Sequence, residues 1–160
     1  LCPLRIAPVP GLADCRERFE NADAVVFASS NGVRALAPVA GAWRWPPVVV
    51  AQGPGTAAAL AWFGRASTMP ATPYDSEATV AMPEWSGPPG VVLRVSGESG
   101  RELFVETLRA RGWVAEPLVA YRRTRVPLSG RDRARWRGWR GRRLLVATSG
   151  ETLRALHAAL

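Results

Sequence analysis

The sequence predicts an α/β protein with a doubly wound, mostly parallel sheet in two lobes, one of them incomplete in this chain. Three observations predict it. Short apolar runs alternate with helical patterns, the signature of βαβ units. One strand–turn–helix unit occurs twice without gaps: Val26-Phe-Ala-Ser29-Ser-Asn-Gly-Val-Arg34-Ala35-Leu36 and, 120 residues on, Val146-Ala-Thr-Ser149-Gly-Glu-Thr-Leu-Arg154-Ala155-Leu156. After the first copy the chain continues through strand, Gly-rich turn and helix, whereas after the second it stops at Leu160. One strand and one helix cannot cover both faces of a parallel sheet.

The elements follow in order. Ala24-Val25-Val26-Phe27-Ala28 predicts a buried strand, with a helix over 31–39. Pro47-Val48-Val49-Val50-Ala51 predicts the next strand, followed by a helix over 56–63 and a short strand over 66–69. A helix over 76–85 ends at the Ser-Gly-Pro-Pro-Gly run of 86–90. Val91-Val92-Leu93-Arg94-Val95 is a strand, and Ser99-Gly-Arg-Glu102 has the spacing of a capping box before a helix that ends near Gly112. Residues 118–124 are extended; Pro127-Leu-Ser-Gly130 breaks the chain before an Arg/Trp-rich helix over 131–139. A strand over 143–147 and a helix from Gly150 complete the pattern, which fits a sheet of the flavodoxin or Rossmann kind. The stretches 4–9 and 118–126 bracket the middle of the chain and read as two strands crossing between lobes.

With 160 residues and 48% hydrophobic content, the chain can build one sizeable core, or one core and part of another. No run approaches the roughly 18 apolar residues of a membrane span. The first residues lack the pattern of a secretory signal, and the absence of an initial Met implies missing upstream sequence. Cys2 and Cys15 read as free thiols of a reducing cytoplasm, and with His157 the sole histidine no zinc site is expected. The charge is concentrated. Residues 1–121 carry 10 Arg against 11 acids, 122–143 carry 10 Arg and only Asp132, and 144–160 balance. The whole net charge of +8 therefore belongs to 122–143, which suits either a solvated linker and helix face or a polyanionic partner.

Four turns at strand carboxyl ends are built from Ser, Thr, Gly and Pro: 28–31, 52–56, 96–100 and 148–150. Each is an ordinary helix N-cap taken alone; together they suit an anion-binding cleft of backbone N–H groups and helix dipoles. The turns contain no P-loop, no third glycine of a dinucleotide fingerprint and no Gly-x-Ser-x-Gly elbow. With paired catalytic carboxylates not evident, chemistry here falls to hydroxyls, backbone donors and one phenol. Tyr121 lies where the crossover strand passes the cleft, as a packed aromatic or as that phenol.

At these residues the chain resembles the uroporphyrinogen-III synthase family. The likeness rests on Ala24-Val-Val-Phe-Ala-Ser-Ser-Asn-Gly-Val, Gln52-Gly-Pro-Gly-Thr56-Ala, Tyr74-Asp-Ser76-Glu77, Ser96-Gly-Glu-Ser-Gly-Arg101-Glu-Leu, Val119-Ala-Tyr121-Arg-Arg and Thr148-Ser149-Gly150, in that order and spacing. Ala28 and Ser30 replace the Thr and Pro usual in the first turn. The resemblance implies two flavodoxin-like lobes with parallel sheets, joined by a two-stranded linker. Residues 4–126 form the complete lobe, and 1–3 with 127–160 form a partial second lobe. It implies cyclisation of hydroxymethylbilane to uroporphyrinogen III with inversion of ring D, by a cytoplasmic monomer using neither metal nor cofactor and binding neither membrane nor nucleic acid. Hydroxymethylbilane carries eight carboxylates, which helix N-termini and arginines suit. By the same resemblance Tyr121 is the acid and Thr56 its catalytic companion, holding a substrate carboxylate or pyrrole. Ser29, Ser30, Gly53, Ser76, Gly97, Arg101 and Ser149 then bind substrate. The second-lobe counterpart of the Thr56 turn is missing, so this chain alone is expected to be weak or inactive. Two other readings remain open: an Arg/Trp-rich nucleic-acid-binding module, and a two-lobed small-anion-binding protein without chemistry.

Overall fold

The computed structural model describes residues 4–98, 102–142, 146 and 150–159. Among them the strands are β1 (Leu4–Pro8), β2 (Ala24–Phe27), β3 (Val48–Ala51), β4 (Val91–Gly97) and β5 (Val114–Arg125). The helices are α1 (Arg16–Glu20), α2 (Ser30–Leu36), α3 (Pro54–Trp62), α4 (Ser76–Val80), α5 (Leu103–Ala110), α6 (Gly130–Gly138) and α7 (Gly150–Ala159). The strands form one sheet in the order β1-β5-β4-β2-β3, and β2 pairs in parallel with β3 and β4, as β4 does with β5. The protein is therefore a mixed α/β fold with a five-stranded sheet.

The chain divides into two compact units, Pro8–Arg122 and a second of Leu1–Ala7 with Arg123–Leu160. In the larger unit, β2 shows why an unbroken apolar run makes a central parallel strand. All four of its residues are buried, and they alternate between two cores. Val25 and Phe27 enter a cluster with Phe19, Val33, Leu36 and Leu60, from α1, α2 and α3. Ala24 and Val26 enter another with Val80, Phe104 and Leu108, from α4 and α5. Helices thus cover both faces of the sheet, as the alternating pattern predicts. Trp85 anchors the second face, donating its indole N–H to the Thr79 carbonyl at 2.6 Å and meeting Phe104 and Trp113 edge-on.

Several local expectations change. The helix expected over 76–85 stops at Val80, and a separate 3-10 turn spans Pro83–Trp85, because Pro83 has no N–H to continue the ladder. The strand expected over 66–69 is a single bridge, Val50 to Thr68. The capping box does not form as expected: Glu102 occupies the cap position of α5 rather than its third helical residue, and makes no cap hydrogen bond. Ser99 lies outside the described residues, as does most of the strand expected over 143–147. Residues 12–20, which carry no clear apolar period, fold into a 3-10 turn and α1.

Candidate functional site

The chain leaves β2 toward β3 on one side and returns as β4 on the other, so the strand order reverses between β2 and β4. A crevice outside the carboxyl ends of the strands at such a reversal is the favoured ligand position in an open α/β sheet. A cavity of about 300 Å³ lies between the turns that follow β2 and β3, lined by Ala28, Ser29, Ser30, Gln52, Gly53, Pro54, Gly55, Thr56 and Tyr74.

Two helices point their N-termini at this cavity. Ser29 caps α2 in extended backbone, its Oγ accepting the Gly32 N–H at 3.4 Å. Gly53 caps α3 and Pro54 follows at a position where a missing N–H costs nothing. Gly53 has a second reason to be glycine: a Cβ there would approach the Tyr74 Cβ to 3.2 Å. Thr56 sits in the first turn of α3, buried at 6% exposure, with no hydrogen bond to its hydroxyl among the described residues. The free N–H groups of both helix starts give the cavity a partial positive charge.

Tyr121 does not line the cavity; it is buried at 3% exposure and meets the cavity wall through Ser29, the two hydroxyl oxygens lying 3.0 Å apart. The β4–β5 register is irregular between Ser96 and Gly97, which sets Gly97 opposite Tyr121. Gly97 is what lets the phenol lie so close. A Cβ there would come within 2.8 Å of Tyr121 Cε2 and 2.9 Å of Cζ.

The structure thus brings Ser29, Ser30, Gly53 and Thr56 to one wall, joins Tyr121 to them through Ser29, and joins Gly97 through Tyr121. Ser76 is not on the wall. It is the first residue of α4, buried, while Asp75 is the cap and accepts the Ala78 N–H at 2.8 Å. Arg101 and Ser149 lie outside the described residues. Tyr74 and Gln52 line the cavity without having been singled out as site residues. Tyr74 stands next to a capping Asp, a signal for position but not for direction.

The comparisons with known proteins bear on the family and the fold. A family model described as uroporphyrinogen-III synthase HemD matches residues 2–160. Among solved structures, a uroporphyrinogen III synthase from Thermus thermophilus is 22% identical with a TM-score of 0.59, over 77% of this chain and 50% of that one. A second Thermus thermophilus structure is 23% identical with a TM-score of 0.57, over 84% of this chain and 56% of that one. The Helicobacter pylori protein is 15% identical with a TM-score of 0.55, over 84% of this chain and 60% of its own. The matched part is therefore about half the length of the Thermus structures, and at these identities the likeness is one of fold. The family match over almost every residue is what assigns the chain: it belongs to the uroporphyrinogen-III synthase family.

Proposed function

We propose that this chain carries the substrate crevice of a uroporphyrinogen-III synthase, which closes hydroxymethylbilane to uroporphyrinogen III with inversion of ring D. The observation that carries the reading is the buried Tyr121–Ser29 hydroxyl pair, 3.0 Å apart, beside a cavity faced by two helix N-termini. A linear tetrapyrrole rich in carboxylates matches a wall of backbone N–H donors. The reaction needs one proton delivered to a leaving hydroxyl and a geometry that favours inversion over direct closure. Tyr121 gives that proton; the C–O bond breaks, water leaves, and the pyrrole nitrogen electrons form the azafulvene. Ring D then closes through a spiro intermediate. Orientation of the reacting groups contributes most of the effect. Thr56, Ser30 and Gly53 hold substrate at the α3 and α2 starts, with Ser76, Gly97, Arg101 and Ser149 as further binding positions.

The lobe assignment belongs to the same proposal. Counted from β2, the order β3-β2-β4-β5 runs second, first, third, fourth, which supports a flavodoxin-like lobe over 4–126. Residues 1–3 and 127–160 belong to a second lobe, with 4–9 and 118–126 as the two linker strands. On this reading the enzyme is a cytoplasmic monomer that uses no metal or cofactor. Replacing the acid tests it: Tyr121→Phe in the protein at its full natural length lowers turnover of hydroxymethylbilane by about a hundredfold or more. Normal turnover in that variant rules out the acid role.

A further inference from the structure

Tyr121 carries a buried phenol but does not line the cavity, whereas Ser29 lines it and lies 3.0 Å, oxygen to oxygen, from that phenol. A serine hydroxyl has one proton to give and two lone pairs with which to accept. At Ser29 one lone pair takes the Gly32 N–H of the α2 cap, at 3.4 Å. When the other takes the Tyr121 O–H, the serine's own proton has no acceptor among the described residues and turns to the cavity. Ser30, Thr56 and Tyr74 put hydroxyls on the same lining, and it is Ser29 that shares a hydrogen bond with Tyr121. Both partners are held in place before any substrate arrives. Ser29 is fixed as the cap of α2 in extended backbone, and the Tyr121 ring rests against Gly97, where a Cβ would come within 2.8 Å of Cε2. Such preorganisation favours a proton transfer that depends on short, aligned contacts.

We propose that Ser29 is a catalytic residue, the group that hands the proton to the leaving hydroxyl, and that Tyr121 acts through it. The inference rests on the reading of Tyr121 as the source of that proton. In the step, the Ser29 O–H bond breaks and its proton joins the leaving oxygen. The Tyr121 O–H bond breaks with it, and that proton joins the Ser29 oxygen, so the serine stays neutral throughout. The C–O bonding pair goes to the leaving oxygen and water departs. The pyrrole nitrogen electrons form the new double bond, and the cation so formed balances the negative charge on the phenol oxygen. The proton shed by the pyrrole carbon at ring closure returns through Ser29 and restores the phenol.

Three substitutions at Ser29, made in the protein at its full natural length and assayed with hydroxymethylbilane, separate the relay from the cap. Ser29→Ala loses both and lowers kcat at least about tenfold, with KM little changed. Ser29→Asn keeps a cap for the Gly32 N–H, so urea unfolding shows near-normal stability. Its amide does not pass a proton on, and kcat stays as low as in Ser29→Ala. Ser29→Thr keeps both the cap and the hydroxyl and restores most of kcat. The double variant Ser29→Ala with Tyr121→Phe is no slower than Tyr121→Phe alone, because one path has been cut twice. Normal kcat in Ser29→Asn overturns the proposal, as does a Ser29→Ala loss of equal size in the Tyr121→Phe background. If Tyr121→Phe is slow while Ser29→Asn is normal, the relay falls and the acid reading stands. If Tyr121→Phe turns over normally, the acid reading falls and takes the relay with it.

Discussion

Tyr121 and Gly97 illustrate how two ordinary residues on facing strands come to pack closely. The phenol reaches Ser29 only because the facing strand presents no side chain at Gly97. Gly97→Ala therefore forces the ring away, and the overpacking destabilises the protein by about 1–3 kcal/mol. Urea unfolding measures that loss, and turnover falls with it; a variant of unchanged stability and activity contradicts the close approach. Ser29 and Thr56 could be placed in turns from the sequence because caps and strand-end turns have recognisable residue types, whereas the part expected of Tyr121 came from the family resemblance. The burial of Arg94 was not legible. Within Val91-Val92-Leu93-Arg94-Val95 it looks like one polar interruption of a strand, and only the packing of α4 and α5 on that face buries it. Glu20 is a residue of another kind, structural and half-buried. Its hydrogen bond from the Arg16 side chain at 2.9 Å is the main reason its carboxyl lies below the ordinary range, aided by the Arg44 backbone N–H. A lowered carboxyl pKa stabilises the fold above the ordinary carboxylate range, and that stability is lost as pH falls through the folded value. Glu20→Gln consequently shows a smaller drop in melting temperature on acidification than the unsubstituted chain. An identical drop contradicts the assignment.

At the scale of elements, legibility followed the source of stability. β2 and β4 are continuous apolar runs whose burial needs no detail from elsewhere, and their sequence bounds differ from the observed ones by at most two residues. α1 was missed because it has no apolar stripe of its own: Phe19 alone is buried, held by Trp43 and Trp45 from a distant loop. The failed capping box at α5 has a comparable cause, since the Ser-x-x-Glu spacing also fits a turn that enters the helix later. α4 is the opposite case, five residues held by its start. Asp75→Ala removes that cap and costs about 1 kcal/mol, measurable by chemical unfolding; no change shows that packing on Val80 suffices. Part of the Arg-rich segment folds as α6. α6 has no buried residue, and Ser129 caps it by accepting the Asp132 N–H at 3.0 Å.

For the whole molecule, the internal repeat carried the most information. The ends of its two copies behave alike, with Ala155 and Leu156 of α7 buried as Ala35 and Leu36 of α2 are. The order of β3, β2, β4 and β5, the crevice at the turns after β2 and β3, and family membership over residues 2–160 are consistent with one enzyme reading. Which anion suits the crevice was not legible, because helix N-termini recognise charge and not a particular acid. No helix among the described residues is long and apolar enough to cross a membrane. The most direct test of the central claim is the isomer composition formed from hydroxymethylbilane by the protein at its full natural length. The account predicts that uroporphyrinogen III exceeds the isomer I that forms spontaneously, and that Tyr121→Phe removes the excess. Isomer I alone from the folded, unsubstituted protein would contradict it.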